Sequence, residues 1–498
     1  MPINFGDHGL AYTHDLCTAI EQYTAQEVNN NPEAFTYRGL QLRYAVERWL
    51  YIHCINSEAL FCHYMANRRG DRAHSNLPTL NGFESDVNLF FSSTRVLPKR
   101  SLKRRVRWLL KITRRTWDWL KQRARHARKA NSTVQRSEIL IQTVNAKFAK
   151  YLEPILGVLA QGSYSFLITN DAKLGEQLSE NGHQIITYYA DRIDCQFIFS
   201  YALSEFTQLI HEADSLMVAL REIKPACVLV VEGNAPGDAI ISEVCRLQNI
   251  PCYCVQHGWS PYVHNGFRNM NFTEMFVWGP QFAELLRPHN PNQIFSVTGV
   301  HFNDNNQSIL SRERIETLSF FLQAPCALLG FEAYNGFVDL IIDVAQAHPG
   351  VKVIVRSHPD YPIPAELMSK LTACPNAYFS VPTTEPLADV IATSDLVISV
   401  FSTVLLEAMA MSVPPLICSI GAIKKYQPDI ASSGGAIEVH SVAEARQAID
   451  NFIAEPARLA EIRKCTQKIS DTYFSKEDGA ALIAKHLQSA AQTARKQG

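Results

Sequence analysis

The 498 residues carry a formal net charge of −1, with 47% hydrophobic and 19% charged residues. That balance excludes a disordered chain and gives no global sign of a nucleic-acid binder. It fits two large folded domains with additions.

The twelve cysteines are scattered. Cys252 and Cys254 form a CxC, but no second pair has zinc-site spacing. Cys227, Cys326 and Cys418 sit in apolar runs, where reduced cysteine acts as a small hydrophobe, so a reducing cytosol is expected. The first residues lack a basic start followed by an apolar core, so no secretory signal is expected. No run of about 18 apolar residues occurs, and no membrane span is expected. No internal repeat or low-complexity tract is visible.

In chain order, residues 40–65 are apolar all round and predict a buried helix, and 75–91 read as loop and short helix. Residues 98–130 are different. From Lys99 to Lys129 there are fourteen Lys or Arg and one acid, Asp118. Val106, Leu109, Leu110, Thr113, Trp117 and Leu120 recur at helical spacing. A basic amphipathic helix with tryptophan suits an anionic membrane surface. The alternatives are a solvated basic helix packing on its own domain, or a nucleic-acid backbone. We expect the membrane and no nucleic-acid partner.

Residues 138–160 read as a helix. Strand and helix then alternate: strands over 164–169, 184–189, 227–231, 252–255, 275–278 and 294–297, helices over 172–181, 203–223 and 237–248. A polar stretch, 299–312, reads as a hinge. A second series follows, with strands over 326–331, 351–355, 377–381, 396–400, 416–418 and 436–439. Its helices cover 336–347, 365–373, 387–392, 441–470 and 475–495. Alternation of this kind means parallel sheets with right-handed crossovers. The fold class expected is α/β: two Rossmann-like domains facing a central cleft, the GT-B architecture, with a helical N-terminal addition. The divisions expected are 1–160 (helical addition), 161–300, 313–470 and 471–498 (C-terminal helix); the resemblance to two-domain GT-B glycosyltransferases implies an acceptor domain over 161–300 and a donor-nucleotide domain over 313–470.

Polar clusters follow four apolar strands, where ligands of doubly wound sheets bind. Ser402 and Thr403 begin a helix after 396–400, a ready phosphate site. Glu407, four residues on, shares a face with Thr403 and is within reach of a ribose hydroxyl. Arg356, His358 and Pro359 follow 351–355, suited to a phosphate or a sugar carboxylate. A tight turn and a helix cap would explain the same residues without any ligand. Gln256, His257 and Gly258 follow 252–255, where an imidazole can bind a phosphate or move a proton and a glycine allows close approach. A satisfied buried histidine is the plain alternative, and His264 is a weaker candidate. Glu232 and Gly233 follow 227–231, and Glu232 is the carboxylate best placed as base or nucleophile. Asp238, opening the next helix, is more naturally structural. Asp171, after 164–169, ranks below both.

Glu232-Gly233, Gln256-His257-Gly258, His358-Pro359 and Ser402-Thr403 with Glu407 together resemble the bacterial Kdo transferases of capsule and lipopolysaccharide synthesis. These are GT-B enzymes using CMP-Kdo. The set is more distantly similar to bacterial CMP-sialic acid transferases. The resemblance covers roughly residues 160–420 and rests on short motifs in a given order. It implies that His358, Ser402 and Thr403 hold the CMP phosphate and that Glu232 is the catalytic carboxylate. It also implies that no metal is needed, and that the acceptor is a surface glycan, probed from the inner face of the cytoplasmic membrane by a peripheral protein. The acid motif here has one acid rather than two, which leaves inversion or retention open. Polyol-phosphate transferases using CDP-glycerol, UDP-sugar transferases or 2-epimerases, and a membrane-recruited scaffold are the competing readings.

Overall fold

The computed structural model describes residues 8–33, 35–57, 60–61, 64–65, 137–143, 145–169, 171–188, 206–301, 313–358, 361–382 and 384–497. The expected basic helix over 98–130, the loop over 75–91, most of the polar hinge and Pro359 lie outside the described residues.

The chain opens with helix α1 (Gly9–Asn30), a hairpin β1 (Thr36–Tyr37) and β2 (Leu40–Gln41), and helix α2 (Arg43–Cys54). The apolar 40–65 stretch is therefore not one helix: a short strand precedes α2, and after a break at 55–57 the described residues 60–61 and 64–65 are helical again. The first large sheet begins with β3 (Ile139–Gln142), followed by α3 (Ala146–Val158), β4 (Tyr164–Ile168), α4 (Ala172–Glu180) and β5 (Ile185–Thr187). Next come α5 (Phe206–Ile223), β6 (Cys227–Val231), α6 (Pro236–Leu247), β7 (Cys252–Val255), β8 (Glu274–Val277), α7 (Pro280–Leu286) and β9 (Phe295–Val297).

The single helix expected over 138–160 is thus a strand and a helix. All four residues of β3 are buried, as a strand covered on both faces requires. Asn145 then caps α3, its side chain accepting from the Lys147 N–H at 3.0 Å. The lobe therefore starts some twenty residues before the expected boundary at 161.

The second lobe runs β10 (Thr317–Phe321), α8 (Phe331–Ala347), β11 (Lys352–Arg356), α9 (Ala365–Thr372), β12 (Ala377–Phe379), α10 (Leu387–Ala392) and β13 (Leu396–Ser399). It continues with α11 (Val404–Ala410), β14 (Pro415–Cys418), β15 (Ile437–Val439), α12 (Val442–Ala454) and α13 (Pro456–Tyr473), and α14 (Gly479–Gln497) ends the chain. The strand expected at 326–331 is instead an isolated bridge between Cys326 and Leu329. The strand of that lobe is β10, whose polar Ser319 is buried and bonds Ser394 at 2.6 Å.

The first sheet has seven strands in the order β5-β4-β3-β6-β7-β8-β9, the second six in the order β12-β11-β10-β13-β14-β15. Every pairing within them is parallel. In each sheet the strand order reverses beside the first strand, between β3 and β6 and between β10 and β13, which opens a crevice at the carboxyl ends.

Helix α14 returns to the first lobe. Its Ala480, Ile483, Ala484 and Leu487 share a buried cluster with Phe148, Leu152, Leu229 and Phe276. At the crossing, the Ser475 N–H donates to the Trp278 carbonyl at 3.1 Å. A Cβ on Gly279 would stand 1.6 Å from the Tyr473 carbonyl oxygen, so only glycine fits there. Two doubly wound lobes and a last helix that crosses back make this the GT-B fold.

The N-terminal helices pack mainly on the first lobe. Tyr37 donates to Asp214 at 2.8 Å, Asn265 donates to the Cys17 carbonyl at 3.2 Å, and Arg268 pairs with Glu21 at 3.2 Å. The start of α1 touches the second lobe, where a Cβ on Gly9 would meet the Ala327 carbonyl oxygen at 1.8 Å.

Candidate active site in the interlobe cleft

Glu232 follows directly on β6, at the crevice of the first sheet. Its N–H donates to the Val255 carbonyl at 2.8 Å, extending the ladder with β7 by one residue. The Gly233 N–H then turns back to the Val231 carbonyl at 2.9 Å, closing a three-residue turn centred on Glu232. Glu232 has φ +70° and Gly233 φ +73°. A glutamate held there costs on the order of 1–3 kcal/mol and persists only where its surroundings dictate it. Gly233 cannot be replaced cheaply, because a Cβ would lie 2.6 Å from Cys254 Sγ and 2.9 Å from Phe272.

The turn directs the carboxylate towards the other lobe. A Cβ on Gly258 would stand 3.8 Å from Glu232 Oε1 and 3.3 Å from Thr403 Oγ1, so these three residues meet. Burial raises the carboxyl's pKa, and the Lys147 charge and an Asn234 hydrogen bond partly oppose it. Lys147 stands in the first turn of α3, at the end of the neighbouring strand β3.

His257 lies edge-on to Phe148 at 4.6 Å and to Tyr151 at 4.5 Å. Burial, with the Lys147 charge, pushes its pKa down to about 4. The imidazole is therefore neutral at physiological pH, and its burial makes it a weak proton acceptor. Tyr151 is edge-on to His301 as well, at 4.4 Å, and donates to the Gln256 carbonyl at 2.7 Å. Gln256 itself is structural. Its amide accepts from the Trp278 N–H at 3.0 Å and donates to the Gly258 carbonyl at 3.3 Å.

From the second lobe, Ser402 and Thr403 precede α11. The Ser402 hydroxyl accepts from the Val404 N–H at 3.3 Å. The Thr403 hydroxyl is used differently from the expected phosphate contact. It accepts from the Trp259 N–H at 3.0 Å and donates to the Trp259 carbonyl at 3.2 Å. Trp259 also donates from its indole to the Gln427 carbonyl at 2.7 Å, so its loop is pinned to the second lobe twice. Both roles of the Thr403 hydroxyl are thereby spent on the opposite lobe's backbone, because Gly258 leaves that backbone free to approach.

Glu407, one turn into α11, has its pKa raised to about 7 by burial, against the attraction of Arg356. Its charge is felt by Tyr151 and by Tyr426, whose hydroxyl donates to the Ser402 carbonyl at 3.2 Å. Arg356, at the end of β11, fixes one arm: Nη1 donates to the Glu385 carbonyl at 2.9 Å and to Ser380 at 3.2 Å. His358, two residues on and half-buried, takes part in a short bridge with Tyr361.

The structure thus gathers Glu232, His257, Gly258, Thr403, Glu407 and Arg356 around one cleft, joined through Tyr151 and Lys147. It sets two candidates apart. Asp171 is exposed and caps α4, accepting from the Leu174 N–H at 3.0 Å. Asp238 is buried behind the Glu232 turn, accepting from the Ala235 N–H at 3.0 Å. Among the described residues no group of three His, Cys, Asp or Glu could hold a metal ion.

Fold and cleft together define a GT-B protein with a strained carboxylate and the neutral imidazole of His257 on the first lobe, and Arg356 and Glu407 on the second. No protein-family model matches the chain, and no curated protein does. Solved structures similar to it include the UDP-GlcNAc 2-epimerase from Neisseria meningitidis bound to UDP-GlcNAc. There the identity is 14%, covering 70% of this chain and 98% of that one, with a TM-score of 0.49. MurG from Acinetobacter baumannii is 13% identical over 71% and 99% of the two chains, TM-score 0.48. The S. aureus MnaA–UDP co-structure is 14% identical over 72% and 97%, TM-score 0.48. These likenesses concern the course of the chain alone, and the fold is assigned from the strand orders.

Proposed function

We propose that the protein is a glycosyltransferase that moves a sugar, Kdo or a related ulosonate, from a CMP-activated donor to a hydroxyl of a bacterial surface glycan. The observation that carries this reading is Glu232. It is a mostly buried carboxylate with raised proton affinity, held at φ +70° on a strand end and facing the other lobe across Gly258.

In the reaction the acceptor oxygen bonds to the anomeric carbon, and the bond to the CMP phosphate breaks with its electron pair staying on phosphate. Glu232 either takes the acceptor proton or first holds the sugar covalently. To Arg356, with His358 and Ser402, this reading assigns the charge that gathers on the departing phosphate. Glu407 is placed for the ribose, and no metal is required. Residues 98–130 hold the protein at an anionic membrane surface, at the inner face of the cytoplasmic membrane. No described helix is long and apolar enough to cross one.

The test is nuclear magnetic resonance of the product from CMP-Kdo and a panel of short glycans, in the presence of EDTA. Calorimetry with CMP, CDP-glycerol and UDP runs beside it. Transfer by the wild type, lost in Glu232→Gln, is expected. Binding of CDP-glycerol or UDP but not CMP, with no transfer of Kdo, would overturn the donor assignment in favour of polyol-phosphate transfer or UDP-sugar chemistry respectively.

A further inference from the structure

Behind the Glu232 turn lies a buried arginine from outside both lobes. Arg48 belongs to α2 in the N-terminal helical layer and is 1% exposed. Its Nη1 donates to the Ala235 carbonyl at 3.3 Å. Its Nε and Nη2 are buried and make no hydrogen bond among the described residues. A guanidinium kept dry with two arms unsatisfied is expensive, and hydrogen bonding does not recover the expense. The strongest attraction it feels is that of Asp238, itself buried so deeply that its pKa is pushed up to about 7 despite the nearby guanidinium.

Asp238 and Arg48 hold Ala235 between them, one at each of the two peptide groups that flank it. The Asp238 carboxylate takes the Ala235 N–H at 3.0 Å, and Arg48 takes the Ala235 carbonyl. Ala235 is three residues after Glu232 and one after Asn234, whose side chain bonds the Glu232 carboxyl. On its near side the turn is fixed by the Glu232 N–H bond to Val255 of the neighbouring strand. On its far side it is fixed by this clasp together with the start of α6, whose Asp238 and Ala239 N–H groups donate to the same Ala235 carbonyl at 3.2 and 3.4 Å. A glutamate and a glycine in succession at positive φ would relax if either anchor were lost.

We propose that Arg48 is a positioning residue for Glu232, so that the N-terminal helical layer completes the catalytic turn of the first lobe. This rests on the reading of Glu232 as the catalytic carboxylate. Loss of the clasp lowers turnover and leaves donor binding alone, since Arg356, Ser402 and Glu407 belong to the other lobe.

The test uses full-length Arg48→Lys, which keeps the charge but lacks the planar fork that reaches Ala235. Leu50→Ala is the control, a buried residue of the same helix that has no part in the site. Two readouts are taken below both melting temperatures. One is amide hydrogen exchange over residues 231–238. The other is transfer kinetics with CMP-Kdo, beside wild type and Glu232→Gln. Arg48→Lys is expected to speed exchange in that segment at least tenfold and to lower kcat about tenfold, with unchanged donor KM. Leu50→Ala should lower the melting temperature with neither effect. Unchanged exchange over 231–238 in Arg48→Lys, or equal changes in both variants, overturns the proposal. Full transfer by Glu232→Gln instead overturns the catalytic reading, and faster exchange in Arg48→Lys would then still establish the clasp.

Discussion

Gly258→Ala separates a working cleft from a merely packed one. Gly258 is not at positive φ, so an alanine there meets no backbone penalty, and it stabilises through the unfolded chain by about 0.4–1 kcal/mol. The new methyl would stand 3.3 Å from Thr403 Oγ1 and 3.8 Å from Glu232 Oε1. The first contact is tight by a few tenths of an ångström and the second is ordinary, so the stability change is within ~1 kcal/mol, a few degrees in Tm at most. The methyl nonetheless fills the space between the carboxylate and the other lobe, where acceptor and donor meet in the proposed reaction. A displacement of reacting groups by about 1 Å costs on the order of 100-fold in rate. Gly233→Ala is the contrast. Its Cβ would overlap Cys254 Sγ at 2.6 Å in a residue at φ +73°, a loss of roughly 2–5 kcal/mol from left-handed strain and overpacking together. Calorimetric melts and a transfer assay on the same preparations decide. Wild-type turnover by Gly258→Ala, or a Gly233→Ala protein as stable as wild type, would refute the geometry on which the site is built.

Three further outcomes are expected. Glu407 ionises near 4.5 when unfolded but only at about 7 in the fold. The native state therefore binds the extra proton between those values, and stability falls as pH rises through them, by about 3 kcal/mol in all. Melting temperatures of Glu407→Gln minus wild type should accordingly rise from pH 5 to pH 8, and a flat difference would contradict the burial. If Glu232 acts as a base, the acidic limb of kcat/KM reports its raised pKa, and Lys147→Met, which removes an opposing charge, should move that limb to higher pH. The move should shrink at high salt, because Lys147 is exposed; an unmoved limb at low salt would assign it to another group. Deleting residues 98–130 should abolish sedimentation with anionic vesicles and leave transfer to a soluble glycan largely intact, whereas equal sedimentation by the deleted protein would end the anchoring idea.

The doubly wound character was legible because apolar strands ending in polar clusters leave a strong pattern, and six of the seven strands of the first sheet stand close to where that pattern puts them. The seventh, β3, was hidden. Its four buried residues Ile139–Gln142 run straight into the apolar face of α3, so strand and helix merge into one helical-looking stretch. That one merger concealed Lys147 and Tyr151, since neither then stood at a strand end. Had Asn145 been read as a cap, Lys147 would have joined the other strand-end clusters. Trp259 was missed although it abuts Gly258, because its role is set by the opposite lobe and no local pattern encodes that. Asn234 and Arg48 act through tertiary contact for the same reason.

Thr403 shows most clearly why position along the chain falls short of role. Sequence places its hydroxyl at a helix start, where a phosphate is a natural partner. The fold gives that hydroxyl an N–H and a carbonyl of Trp259 at 3.0 and 3.2 Å. A hydrogen bond exchanged for another of similar quality is worth only about 0.5–1.5 kcal/mol net. On the proposed reading, a donor phosphate reaching Thr403 therefore gains little from the hydroxyl itself, and the charge of Arg356 is expected to supply most of its affinity. Replacing Arg356 should on that account weaken CMP binding far more than Thr403→Val, which calorimetry on the two variants measures directly; the reverse order would place the phosphate on the helix start instead.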